Sequence, residues 1–133
     1  MSTKIILIVE DDQDLRSILE KKIGNVENLE IISAADGAAG IKIAADNHPH
    51  LIILDLLMPN MNGMEFLKEL RSKDWGKETP VVILSNFQEP EYISEAMRYK
   101  VFNYHVKSDV SLDEVVEIVQ KKLAEVEIGN QSE

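Results

Sequence analysis

The chain has 133 residues, 44% of them hydrophobic and 29% charged, which suits one domain large enough to bury a substantial core. Acids outnumber bases 24 to 14, for a net charge of -10, and this argues against the basic face that nucleic acid binding needs. There is no cysteine for a disulfide or thiolate metal site, no apolar run long enough to span a membrane, and no leader, since Lys4 enters strand-like sequence at once; a cytoplasmic protein is expected.

The pattern alternates strand and helix five times. Residues 4–9 form a β-branched-rich run, and 12–23 carry Leu15, Ile18, Leu19 and Ile23 at helical spacing, with Gly24 as a stop. A second strand spans 29–33. Asp36-Gly37 turns into a helix over 37–47, weakened by Gly40 in its interior and ended by His48-Pro49-His50. The third strand, 51–55, leads through Met58-Pro59-Asn60-Met61-Asn62-Gly63 to a helix near 64–73. Pro80 opens the fourth strand, Val81 to Leu84, which ends at Ser85, and Pro90 suits the first turn of a helix reaching Tyr99. A fifth strand spans 101–106 and ends at Lys107. The last helix, 111–125, has the clearest apolar stripe (Leu112, Val115, Val116, Val119, Leu123), and Ser111 with Glu114 reads as a capping box. Residues 1–125 are thus expected to form the domain, with 126–133 a short polar tail.

Strands one, three and four are almost uniformly apolar, the mark of a parallel sheet covered on both faces. Five such units with short links predict a doubly wound α/β fold with a five-stranded parallel sheet and five helices.

In open α/β folds chemistry gathers beyond the carboxyl ends of the strands. Those ends carry Glu10-Asp11-Asp12, Asp55, Ser85 and Lys107. Clustered carboxylates repel and are costly to desolvate, so a fold keeps them where a cation sits among them or where one does chemistry. Mg²⁺ takes oxygen ligands from one or two carboxylates and keeps waters for phosphate oxygens. A lysine aimed at the same place suits phosphoryl transfer, which rests on positioning and charge neutralisation. Each residue alone has a plainer role: Asp11 or Asp12 as a helix cap, Asp55 as a turn former, Ser85 as a cap, Lys107 as a surface charge. Four strand ends supplying one Mg²⁺–phosphoryl site make the functional role the better account. His48 and His50 flank a proline in a loop and are expected to be solvated, with no metal role.

With "ILIVEDD", "LIILDLLMPNMNGMEFLKELR", "PVVILS" and "YHVK", and with D-x-x-M-P-x-M-x-G starting at Asp55, the chain resembles the receiver domain of two-component response regulators from about Lys4 to Leu123. The resemblance implies a flavodoxin-like receiver fold. It implies Asp55 as phospho-acceptor, taking a phosphoryl group from a phosphohistidine on a sensor kinase or phosphotransfer protein. It also implies Mg²⁺ bound by Asp11 and Asp55 directly, by Glu10 through water, and by the Leu57 carbonyl. Lys107 would pair with the phosphoryl oxygens, Ser85 would swing in to bond them, and Tyr104 would turn inward as the aromatic switch. No further cofactor is implied. Asp12 falls outside the metal pair and fits the cap. The fourth helix, fifth strand and fifth helix would form the signalling face for a downstream protein, with Tyr92, Met97 and Tyr99 divided between that surface and the core. Such a protein is a signalling phospho-acceptor that promotes its own phosphorylation and dephosphorylation rather than an enzyme. As the sequence stops after the fifth helix, a single-domain relay or partner-binding switch is expected.

Three positions depart from the family pattern: Ser108 replaces the usual proline after the lysine, Asn86 replaces a small residue after Ser85, and Lys100 stands where glycine is common. The family's lysine–proline bond is cis, so Ser108 calls for either a cis bond before a non-proline residue or a rearranged loop. Lys100 is expected in a left-handed conformation. Leu57 and Phe87 are apolar where polar side chains position hydrolytic water, so a long-lived phospho-form is expected. Among rivals, a haloacid-dehalogenase-type phosphatase needs a second Asp where Leu57 stands, and a nucleotide-binding domain needs a glycine-rich loop after the first strand. The alternative that survives is a receiver-like scaffold that signals by protein contact without phosphorylation.

Overall fold

The computed structural model describes residues 3–131 except Glu27. Five strands alternate with five helices: β1 (Lys4–Val9), α1 (Gln13–Gly24), β2 (Leu29–Ala34), α2 (Gly37–Asn47), β3 (Leu51–Leu54), α3 (Gly63–Arg71), β4 (Val81–Ser85), α4 (Pro90–Arg98), β5 (Asn103–Val106) and α5 (Leu112–Gln131). All strands are parallel, in the order β2-β1-β3-β4-β5, so this is the doubly wound, flavodoxin-like sheet that the sequence predicts.

The period-two alternation of the strands separates two cores. Leu7, Val9, Ile52, Leu54 and Ile83 face Ala44 of α2, Phe66, Leu67 and Leu70 of α3, and Ala96 of α4. Their neighbours Ile6, Ile8, Ile53, Val82 and Leu84 face Leu19 and Ile23 of α1 and Val115, Val119 and Leu123 of α5. With both faces covered, β3 and β4 are buried along their whole length, which is why neither shows a polar alternation.

Helix starts follow local chemistry. The Asp12 carboxylate accepts from the amides of Asp14 and Leu15, so the cap expected there forms. Capping boxes form at Asn62–Glu65 and at Ser111–Glu114. Gly63 has no alternative at the head of α3, because a Cβ there would lie 2.6 Å from the Asp55 carbonyl oxygen. Lys100 is left-handed, with φ of 63°.

Several boundaries differ from the sequence expectation. β5 begins at Asn103 rather than 101, since the left-handed Lys100 turns the chain to bury Val101 and leaves Phe102 71% exposed. α5 continues past 125 to Gln131, because losing large apolar residues does not by itself end a helix. It takes up most of the expected tail; Ser132 and Glu133 lie outside the described residues. His50 is only partly exposed and is tied into the sheet. Its amide donates to the Ile5 carbonyl (2.8 Å) and its Nδ1 accepts from the Ile5 amide (3.0 Å), tying the start of β3 to β1. His48 is exposed and stacks on Trp75, with ring centroids 5.0 Å apart. Met97 is half exposed and outside the core, whereas Tyr92 and Tyr99 pack partly against it.

Candidate functional site

The carboxyl ends of β1, β3, β4 and β5 open into one cavity of about 230 Å³, lined by Glu10, Asp11, Asp12, Asp55, Leu57, Ser85, Asn86, Phe87 and Lys107. It lies where the order of the strands reverses, between β1 and β3, and extends over β4. Main-chain pairing sets the two innermost acids: the Glu10 amide donates to the Ala34 carbonyl and the Asp55 amide to the Val9 carbonyl, both at 3.0 Å. Glu10 is 3% exposed and Asp55 5%, while Asp11 is exposed.

Lys107 reaches in from the end of β5. Its Nζ lies 2.8 Å from Glu10 Oε1 and 3.3 Å from Asp55 Oδ2. One ammonium therefore serves two buried carboxylates, and Asp11 adds a third acid beside them. Burial raises the Glu10 carboxyl to about 7, against the lowering effect of Lys107 and with the Asp55 charge adding to the rise. Burial also raises Asp55, opposed chiefly by Lys107. Lys107 itself would be lowered by burial, but its bonds to Glu10 and the charge of Asp55 outweigh that and hold it above its ordinary range. The remaining oxygens of the two acids accept from amides, Glu10 Oε2 from Asp12 (3.1 Å) and Asp55 Oδ1 from Leu57 (3.4 Å).

Glu10, Asp11 and Asp55 each offer a carboxylate oxygen within 4.8 Å of the other two. The donors are all hard oxygens, with more negative charge than Lys107 offsets, and that fits a hard divalent cation such as Mg²⁺. Leu57 joins the lining, its side chain 64% exposed at the rim.

Ser85 is fully buried, and its Oγ accepts from the Phe87 amide at 3.1 Å. The Tyr104 hydroxyl donates to the Phe87 carbonyl at 2.7 Å, and burial raises its pKa. The Phe87 ring stacks on Tyr92 of α4, with centroids 4.5 Å apart and planes 13° from parallel. Phe87 thus joins Ser85, Tyr104 and α4. Sequence reading marked it only as an apolar residue near the site; its two main-chain bonds arise from loop geometry that residue type does not encode. Arg16, whose Nη1 donates to the Glu10 carbonyl at 2.8 Å, was missed for the same reason. After Lys107 the chain forms a 3₁₀ turn, Lys107–Asp109, and no peptide bond among the described residues is cis, so at Ser108 the loop is rearranged.

The sequence matches the family profile described as "Response regulator receiver domain" over residues 6–120. It is 36% identical over 118 residues to "Regulatory protein AtoC" of Escherichia coli (strain K12), an alignment covering 89% of this chain and 25% of that protein. The chain therefore spans about a quarter of that relative's length. Among solved structures, the N-terminal domain of a protein from Wolinella succinogenes superposes with a TM-score of 0.82 at 31% identity, covering 99% of this chain and all of that one. The Mn²⁺-bound form of response regulator Rcp1 superposes with a TM-score of 0.75 at 27% identity, covering 89% and 90% of the two chains.

Proposed function

Because the chain belongs to the response regulator receiver domain family of two-component signalling, we propose that it accepts a phosphoryl group on Asp55 from a phosphohistidine of a sensor histidine kinase or phosphotransfer protein. The observation that carries this reading is the placement of Asp55 in a cavity with Lys107 at 3.3 Å and the buried Ser85 hydroxyl in the same lining.

Receiver domains bind Mg²⁺ at an acidic pocket, and Asp11, Asp55 and the Leu57 carbonyl would hold it here, with Glu10 acting through water. A resident divalent ion supplies charge neutralisation, without which a carboxylate and a phosphoryl dianion repel. The Mn²⁺ in the Rcp1 structure supports a divalent site in this fold.

In the proposed transfer an Asp55 carboxylate oxygen bonds to phosphorus while the phosphorus–nitrogen bond of the donor breaks, its electron pair returning to the imidazole. The product is an acyl phosphate. Lys107 exchanges part of its pairing with Glu10 and Asp55 for the phosphoryl oxygens. Ser85 Oγ, which accepts from the Phe87 amide, turns its hydroxyl to the same oxygens. That draws on the Phe87 loop and, through its carbonyl, on Tyr104. The shift is two-state, since the phosphoryl group adds bonds available only to the active arrangement. Ile93 and Met97 of α4 and Phe102 before β5 are large apolar residues exposed on the side where a downstream protein would dock. No observation favours the alternative of a scaffold that signals without phosphorylation.

The test is intact mass after incubation with Mg²⁺ and a small acyl-phosphate donor, repeated with a histidine kinase. One phosphoryl adduct is expected, lost in Asp55→Asn. An adduct that persists in Asp55→Asn refutes the assignment of the acceptor.

A further inference from the structure

At the opposite end of the sheet lies a pocket lined by Arg71, Lys77, Arg98, Tyr99 and Lys100. Four of the chain's 14 basic residues meet there in a molecule of net charge -10, although Lys77 and Lys100 are paired with Asp74 and Glu78, and Arg98 also borders a pocket with Glu91 and Glu95. The pocket sits where α3 and α4 end, before β4 and β5 begin. The proposed phosphorylation site is the length of β4 away, roughly 17 Å for five residues. At physiological ionic strength that exceeds the Debye length of about 8 Å, so its acids do not neutralise this patch.

Part of the cluster has an ordinary explanation. Cations favour helix C-termini, and Arg71 is a staple whose Nε donates to the Tyr99 carbonyl and whose Nη1 donates to those of Gly76 and Thr79, at 2.7–2.8 Å. Those bonds hold the guanidinium rigidly, yet all three acceptors are neutral carbonyls. Among the described residues neither Arg71 nor Arg98 has a carboxylate within ion-pair distance, and Arg71 Nη2 makes no hydrogen bond. Burial pushes Arg71 below its ordinary range, opposed only by the charge of Glu78, as for a cation short of counter-charge. The ion pairs that do exist, Lys100 with Glu78 (2.7 Å) and Lys77 with Asp74 (3.1 Å), are exposed, and exposed pairs are readily exchanged.

The geometry points to a binding site for a phosphate-type oxyanion, with Arg71 as the fixed planar donor and Lys77, Arg98 and Lys100 closing around the charge. A guanidinium fixed on one side and open on the other suits phosphate oxygens. The cavity, about 220 Å³, suits one or two phosphate groups rather than a drug-sized ligand. Glu78 is its internal competitor, holding Lys100 when no anion is present. This site does not depend on the role given to Asp55.

The test is a ¹⁵N–¹H titration of the full chain in EDTA with inorganic phosphate, pyrophosphate and ATP, each against NaCl at matched ionic strength. Saturable shifts are expected at the amides of Gly76, Lys77, Tyr99, Lys100 and Val101. Equal responses to pyrophosphate and ATP identify the phosphates alone as the ligand, and a stronger response to ATP adds a nucleoside contact. Lys77→Gln with Arg98→Gln should weaken binding at least about fivefold, and Glu78→Gln should tighten it about two- to fivefold, the scale of exposed charge pairs. Acyl-phosphate labelling should be unchanged in these variants, so a failure here leaves the Asp55 reading standing. Shifts that merely follow ionic strength, or binding unaffected by the double substitution, overturn the proposal.

Discussion

At the scale of single residues, the site turns on how few groups balance how many charges. Lys107 alone faces Glu10 and Asp55, and the carboxyls rise because burial outweighs what one ammonium supplies. Asp55, Ser85, Lys107, Glu10 and Asp11 were all legible as residue types at the ends of apolar runs. Phe87 and Arg16 were not, because their contribution is made through main-chain atoms that every residue possesses. Leu57 and Phe87 carry the next prediction. Both line the mouth of the cavity, Leu57 at 64% exposure, and neither side chain offers a polar atom to orient hydrolytic water. The phospho-form is therefore expected to be long-lived, and Leu57→Asn to shorten its lifetime several-fold with little change in stability, as befits an exposed position. Phosphate release in Mg²⁺ checks it; fast release from the unaltered chain counts against the idea.

At the scale of elements, caps and turns kept to local rules wherever the deciding atoms lie within a few residues, as at Asp12, Ser111–Glu114 and Lys100. His50 went the other way. Its loop looked solvent-facing in sequence, but parallel pairing of β1 and β3 brings Ile5 against it, and both its amide and its Nδ1 are used. Burial, with the charge of Lys4, lowers its pKa and so favours the neutral ring, whose Nδ1 accepts the Ile5 N–H. Between that lowered value and 6.5 the unfolded chain binds the extra proton. The contribution of His50 is thus complete above pH 6.5 and is lost as pH falls through the folded value. His50→Ala should lose about 1 kcal/mol near pH 8 and flatten the acid side of the stability profile, read from urea midpoints between roughly pH 8 and 5. An unchanged slope in the variant would remove His50 as the cause.

At the scale of the whole molecule, a net charge of -10 sets the fold against itself, and the acids concentrated at one end of the sheet add to that. NaCl should raise Tm modestly by screening. Mg²⁺ at matched ionic strength should raise it by several degrees more, since a ligand bound only to the folded state adds about 2.7 kcal/mol at a hundred times its dissociation constant. The Mg²⁺ excess should vanish in Asp11→Asn, a change at an exposed side chain, whereas an undiminished excess would place the ion elsewhere. The sequence by itself determined the fold class and which residues stand at the strand ends. Apolar runs must be buried, parallel sheets need helical crossovers on both faces, and the residues just past such strands have one place to go. Only the tertiary structure decided what those residues touch: Lys107 shared between two acids, the Ser85–Phe87–Tyr104 chain, the His50 tie, and the cations gathered around Arg71. Burial follows from the pattern of one stretch of chain, but contact joins stretches far apart in sequence, and its geometry exists only once the sheet has closed.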